Sequence, residues 1–155
     1  MVAISCDKIV PAPQQRVWDV ISDVSTFEHW HALHEGWEEM PSGPIDVGST
    51  MVEKIKVAAL VDTITFEVKT CRTPSEVVFR GAGSTGSKIH MRLGLEPTGE
   101  TTTVTIDLDV TSPLLVGPIG KALNGTFTKR LRQTLDGLAT YVASVDGSTE
   151  TPSRH

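Results

Sequence analysis

The sequence predicts an α+β fold: a curved antiparallel sheet of six to seven strands wrapped around one long C-terminal helix, in the order β-α-α-β5/6-α. Three observations carry this. Large apolar residues at Ile119, Leu123, Phe127, Leu131, Leu135, Leu138 and Val142 fall three or four positions apart, which places one stripe on one face of a helix. From residue 49 to 111 the chain alternates apolar and polar residues in successive short runs, the pattern of half-buried strands. Brief turn-forming links separate those runs, so neighbours pair as antiparallel hairpins. A stripe this long cannot be buried by its own helix, and the sheet is the only element large enough to cover it.

Each element follows from its residues. Val2, Ile4 and Cys6 alternate with Ala3, Ser5 and Asp7, giving a first strand over 2–10, with a break or bulge expected at Lys8-Ile9. Pro11-Ala12-Pro13 ends it. Gln14 to Ser22 reads as a helix with Val17, Trp18 and Ile21 on one side. Asp23 to Trp30 reads as a second short helix, capped by Asp23 or Ser25, with Phe27 and Trp30 as its apolar side. A short strand is expected over 35–40, ended by Pro41-Ser42-Gly43-Pro44. Strands then run over 49–59, 61–72, 75–82, 87–96 and 102–111, joined at Ala59-Leu60, Thr73-Pro74, Gly83-Ser84-Thr85-Gly86 and Thr98-Gly99-Glu100. Ser112-Pro113 reads as the start of the long helix, a hydroxyl cap followed by proline in the first turn. Gly117, Pro118, Gly120 and Gly125 predict a loose or kinked first half, or a place where something approaches closely.

The 155 residues, 39% hydrophobic and 21% charged, describe one domain over 1–145, followed by a polar tail over 146–155 expected to be disordered. A net charge of −5 speaks against nucleic acid as the main partner, because phosphate binding needs a basic surface. Lys129, Arg130 and Arg132 fit a solvated helix face. No stretch reaches the length of a membrane span, and the first residues lead straight into a strand rather than a signal peptide. The expected location is the cytoplasm, with Cys6 and Cys71 as free thiols. Asn124-Gly125-Thr126 has the form of a glycosylation sequon but falls in the last helix.

The text Ala12-Pro13-Gln14-Gln15-Arg16-Val17-Trp18-Asp19-Val20-Ile21-Ser22-Asp23, continuing to Phe27-Glu28-His29-Trp30, together with the Gly-Pro-rich start of the last helix, resembles the START-like, or Bet v 1-like (SRPBCC), superfamily. The resembling branch is the bacterial polyketide cyclase/dehydrase and lipid-transport proteins, and the resemblance spans about residues 2–145. It implies a helix-grip fold with a cavity between sheet and last helix that holds an apolar small molecule. The chain is also similar to an actinobacterial subgroup in which one member is described as the toxin of a toxin–antitoxin pair, which implies an antitoxin protein as a further partner.

The densest set of ligand-type side chains is His29, His31 and His34 with Glu28 and Glu35. A metal would need three of them to converge; the preferred reading is a helix end with exposed imidazoles near a cavity rim, and no metal or cofactor is expected. Gly81-Ala82-Gly83-Ser84-Thr85-Gly86 matches a dinucleotide fingerprint by letter. A strand rather than a helix follows it, so the glycines read as a hairpin. A ligand cavity needs a few inward polar groups. Period-two faces nominate Glu53, beside Met51 and Ile55, and Asp62, beside Ile64 and Phe66. Arg80 turns inward if Val78 rather than Phe79 faces the core, and would then meet Glu53. The expected ligand-binding set is Trp30 and His31 at the rim, with Met51, Glu53, Ile55, Phe66, Phe79, Arg80, Met91, Leu123 and Phe127 as walls.

Three functions remain open on these residues. The preferred one is non-catalytic binding of a hydrophobic small molecule, a lipid or a polyketide-like or aromatic compound. The second is a cyclase or dehydratase with Glu53 and His31 as acid and base. The third, a toxin bound by a small antitoxin protein, is implied only by the resemblance. No Ser or Cys sits on a sharp strand-to-helix turn, so nucleophilic catalysis has little support. A monomer and a homodimer fit equally well.

Overall fold

The computed structural model describes residues 2–41, 43–113, 115 and 117–153, with side chains as far as Val145. The expected tail, 146–155, lies outside the described side chains. In order, the elements are β1 (Val2–Val10), α1 (Gln14–Ile21), a 3-10 turn (Val24–Thr26), α2 (Phe27–Trp30), β2 (His34–Glu39), β3 (Thr50–Val57), β4 (Leu60–Arg72), β5 (Glu76–Gly83), β6 (Lys88–Thr98), β7 (Thr101–Thr111) and α3 (Gly117–Ser153). The seven strands form one antiparallel sheet in the order β1-β7-β6-β5-β4-β3-β2. This is the curved sheet with a long C-terminal helix that the sequence predicts.

Local rules account for most of the boundaries. Ile64, Phe66 and Val68 of β4 and Val104, Ile106, Leu108 and Val110 of β7 are buried, while the residues between them stay in partial or full contact with water. Asp23 accepts a hydrogen bond from the Ser25 amide at 3.1 Å, the expected cap of the turn leading into α2. β1 carries no bulge: its register with β7 runs unbroken from Val2↔Val110 to Val10↔Thr102. Lys8 takes an inner position there and pairs with Asp136 of α3 at 3.0 Å, while Ile9 faces out.

The long helix starts later than the sequence suggests. Ser112-Pro113 forms a turn, in which the Leu115 amide donates to the Ser112 carbonyl at 3.0 Å. Gly117 then adopts φ +56°, a left-handed backbone that favours glycine, and Pro118 falls in the first turn. Four of the stripe residues, Leu131, Leu135, Leu138 and Val142, are sealed against the sheet and α2, whereas Ile119 is 56% exposed. Gly137 lets α3 approach α2: a Cβ there would lie 2.9 Å from the Trp30 carbonyl oxygen. Thr134 also ties the two together, accepting from the Ala32 amide at 2.9 Å.

The inner face of the sheet is shaped by two glycines of β5. A Cβ on Gly81 would meet Ile64 Cγ2 at 2.5 Å and the Phe66 ring at 2.7 Å, and one on Gly83 would collide with Asp62. The fingerprint-like glycines therefore make room for β4 side chains to lean across β5, on a strand and hairpin rather than a phosphate loop.

Candidate functional site

Between sheet and helices lie two compartments with no lining residue in common. The first is polar at its centre and solid. Glu53 sits on the inner face of β3, as the alternation with Met51 nominates, and is 2% exposed. His34, at the start of β2, places Nδ1 2.5 Å from Glu53 Oε2, and its side chain is 4% exposed. His31, in the loop just after α2, stacks beside His34 with ring centroids 6.4 Å apart. Burial pushes the His31 imidazole below its ordinary pKa; the Glu53 carboxylate pulls it back up and His34 lowers it further. The Leu33 amide donates to His31 Nδ1 at 3.4 Å, a role for a lone pair, in keeping with a neutral ring.

Aromatic rings close this centre. Phe27 packs edge-on against Trp30, His31 and His34, and Trp37 lies 5.0 Å from His34. The ring nitrogens of both tryptophans are satisfied: Trp30 Nε1 donates to Thr26 Oγ1 at 2.8 Å and Trp37 Nε1 to the Val24 carbonyl at 3.2 Å. Beneath Glu53, the side chains of Phe27, Met51, Phe66, Phe79 and Met91 meet without leaving space for a water molecule. Such a set can hold or move a proton, but no substrate atom reaches it without displacing side chains.

The second compartment is open. A cavity of about 180 Å³ lies between the β3–β4 hairpin end, β6, β7 and the first turns of α3. Its walls are Ile55, Val57, Ile64, Ile89, Val110, Leu115, Leu123 and Phe127, with Leu60 and Val61 exposed at the hairpin end. Asp62, Thr85, Ser87 and Ser112 add the polar wall atoms. Asp62 accepts from the Thr63 amide at 2.8 Å and from the Ser84 and Thr85 hydroxyls at 2.7 Å each. Partial burial works against its charge, but the hydrogen bonds from Thr85, Ser84, Ser87 and Thr63 outweigh that and hold the carboxyl below its ordinary pKa.

Placed on this frame, the expected ligand-binding residues divide three ways. Ile55, Leu123 and Phe127 line the open cavity. Met51, Glu53, Phe66, Phe79 and Met91 belong to the solid compartment, and Trp30 and His31 are buried rather than at a rim. Burial of His31 and His34 overturns the reading of exposed imidazoles at a helix end; His29 alone of the three is exposed, stacked on Tyr141. Arg80 lies on the outer face, because Val77 and Phe79 take the inward positions of β5. The expected Glu53–Arg80 pair therefore does not form, and His34 is the partner of Glu53. Arg80 borders a broad surface trough with Glu67, Lys69, Lys88, His90 and Asp109, open to water. Among the described residues no three His, Cys, Asp or Glu side chains converge as a metal site, and no helix is long and apolar enough to cross a membrane.

Sequence reasoning missed Val57, Val61, Thr85, Ser87 and Leu115 as cavity walls. Gly81 and Gly83 do not mark the void, because Ile64, Phe66 and Asp62 of β4 fill the space above them.

A family model described as polyketide cyclase / dehydrase and lipid transport matches residues 1–143. Two curated relatives from Mycobacterium tuberculosis (strain ATCC 25618 / H37Rv) are similar over most of their length. The uncharacterized protein Rv1546 is 27% identical over 86% of this chain and 96% of its own. Toxin Rv0910 is 22% identical over 86% of this chain and 93% of its own. Among solved structures, a START superfamily protein from Mycobacterium smegmatis superposes with a TM-score of 0.73 at 20% identity, covering 90% of this chain and 98% of that one. The Zhui aromatase/cyclase from Streptomyces sp. R1128 gives 0.69 at 14% identity, covering 91% and 93%. These structures share the START, or helix-grip, architecture.

Proposed function

The chain belongs to the polyketide cyclase/dehydrase and lipid-transport family, and on that premise we propose that it binds a hydrophobic small molecule in the cavity between the sheet and the first half of α3. The observation that carries the reading is the cavity of about 180 Å³, walled by aliphatic side chains and Phe127 and polar only at Asp62, Thr85, Ser87 and Ser112. Pockets for drug-sized ligands run to about 300–1,000 Å³, so this one takes a short chain or a single ring, with the rest of the ligand resting on Leu60 and Val61. Thermal-shift and native mass spectrometry screens against lipids and aromatics test it. A ligand at 100 times its Kd stabilises the fold by about 2.7 kcal/mol. Absence of any stabilising compound across both panels overturns the reading.

A second reading, a cyclase or dehydratase, is favoured by one observation: Glu53, His34 and His31 form a buried acid–base set. In that case Glu53 and His31 transfer the proton, and the ligand enters by displacing Met51 or Phe66. Turnover of a poly-β-keto mimic that is lost in Glu53→Gln supports it; turnover unchanged in that variant rules out Glu53. A toxin role with an antitoxin partner rests on the similarity to Rv0910 alone, and co-purification with the product of a neighbouring short reading frame tests it.

A further inference from the structure

We infer that the ligand of this cavity ends in a hydrogen-bond donor, a protonated amine or a hydroxyl, and that carboxylate-ended amphiphiles are rejected. The inference rests on the cavity reading and adds the chemistry of the head group.

Asp62 is the only charged residue among the described walls; no Lys, Arg or His lines the cavity. Its carboxylate is fixed by the Thr63 amide and by the hydroxyls of Ser84 and Thr85, at 2.7–2.8 Å. Those hydrogen bonds also keep it ionised. They have a second effect on what the wall offers. A hydroxyl has one proton, and the wall residue Thr85 gives its own to Asp62, which leaves its oxygen able only to accept. The polar part of the wall is thus rich in acceptors and carries a negative charge. An ammonium gains Coulomb energy beside the Asp62 carboxylate in a site partly shielded from water, and an alcohol can donate to a lone pair of the Thr85 hydroxyl. A carboxylate finds a like charge and spent donors.

The test uses the full chain at neutral pH and three probes with one tail: octylamine, octan-1-ol and octanoate, titrated by calorimetry below their aggregation thresholds. Octylamine is expected to bind at least about tenfold tighter than octanoate, with octan-1-ol between them. Asp62→Asn should shrink the amine-to-carboxylate ratio to about threefold or less. Val61→Lys, at an exposed position beside Asp62 where the fold is not at stake, should shift the preference toward octanoate. Equal binding of all three probes, or an unchanged ratio in both variants, overturns the head-group inference while the cavity reading stands. No binding by any probe overturns the cavity reading and this inference with it.

Discussion

His34 Nδ1 lies 2.5 Å from Glu53 Oε2, with both side chains all but sealed from water beside Phe27, Trp37 and Met51. A polar pair in that setting is held by mutual satisfaction, and removing one member strands the other. Glu53→Ala should cost about 3 kcal/mol in chemical denaturation. Replacing both members with apolar residues, His34→Leu with Glu53→Met, should recover most of that loss. Equal losses in the single and double variants would show that a stranded His34 is not the source of the loss.

Acid should weaken the fold through His31. Its folded-state pKa is depressed below the ordinary value of 6.5, chiefly by burial. Below pH 6.5 the unfolded chain therefore binds a proton that the native chain resists, so stability falls as pH drops from 6.5 toward the folded value and levels off beneath it. His31→Phe should flatten that part of a pH–stability profile measured by urea unfolding. A slope that survives the substitution would place its origin elsewhere.

The contrast between these two histidines and the rest of the chain shows what could be read from residues alone. The strands, the first small helices and the helical stripe follow from periodicities of two and of three to four, which local sequence displays directly. Inward placement of Glu53 followed from the same rule, and so did the outward turn of Arg80 once Phe79 is taken as core. The partner of Glu53 was hidden because it depends on how β2 meets β3. That pairing shifts register between His34 and Gly36 and again between Trp37 and Glu39. No local pattern records such shifts. Likewise, periodicity marks a face as inward without saying whether it meets a solid core or a void; that follows from the side-chain volumes of several strands at once.

Gly137 should tolerate no side chain. The 2.9 Å gap to the Trp30 carbonyl is backbone, which cannot swing aside. Gly137→Ala should lower stability by about 1–3 kcal/mol despite the better helix propensity of alanine. A stabilised variant in thermal melts would mean that α3 and α2 separate more easily than their packing implies.

Filling the open cavity should separate binding from folding. Leu123→Trp projects bulk into the 180 Å³ space from α3. Ligand-induced thermal shifts should vanish while far-UV circular dichroism and the unliganded Tm stay within about 3 °C of the parent. Retained binding would move the ligand to another surface.

The division of the interior into a solid half and a hollow half also bears on how such a chain can change over generations. Leu123, Phe127 and Val57 can be exchanged to suit a new guest without disturbing the buried Glu53–His34 contact, because neither of those two residues lines the hollow half. One region anchors the architecture while the other drifts. Descendants of one ancestor can then diverge in what they carry and still look alike in outline.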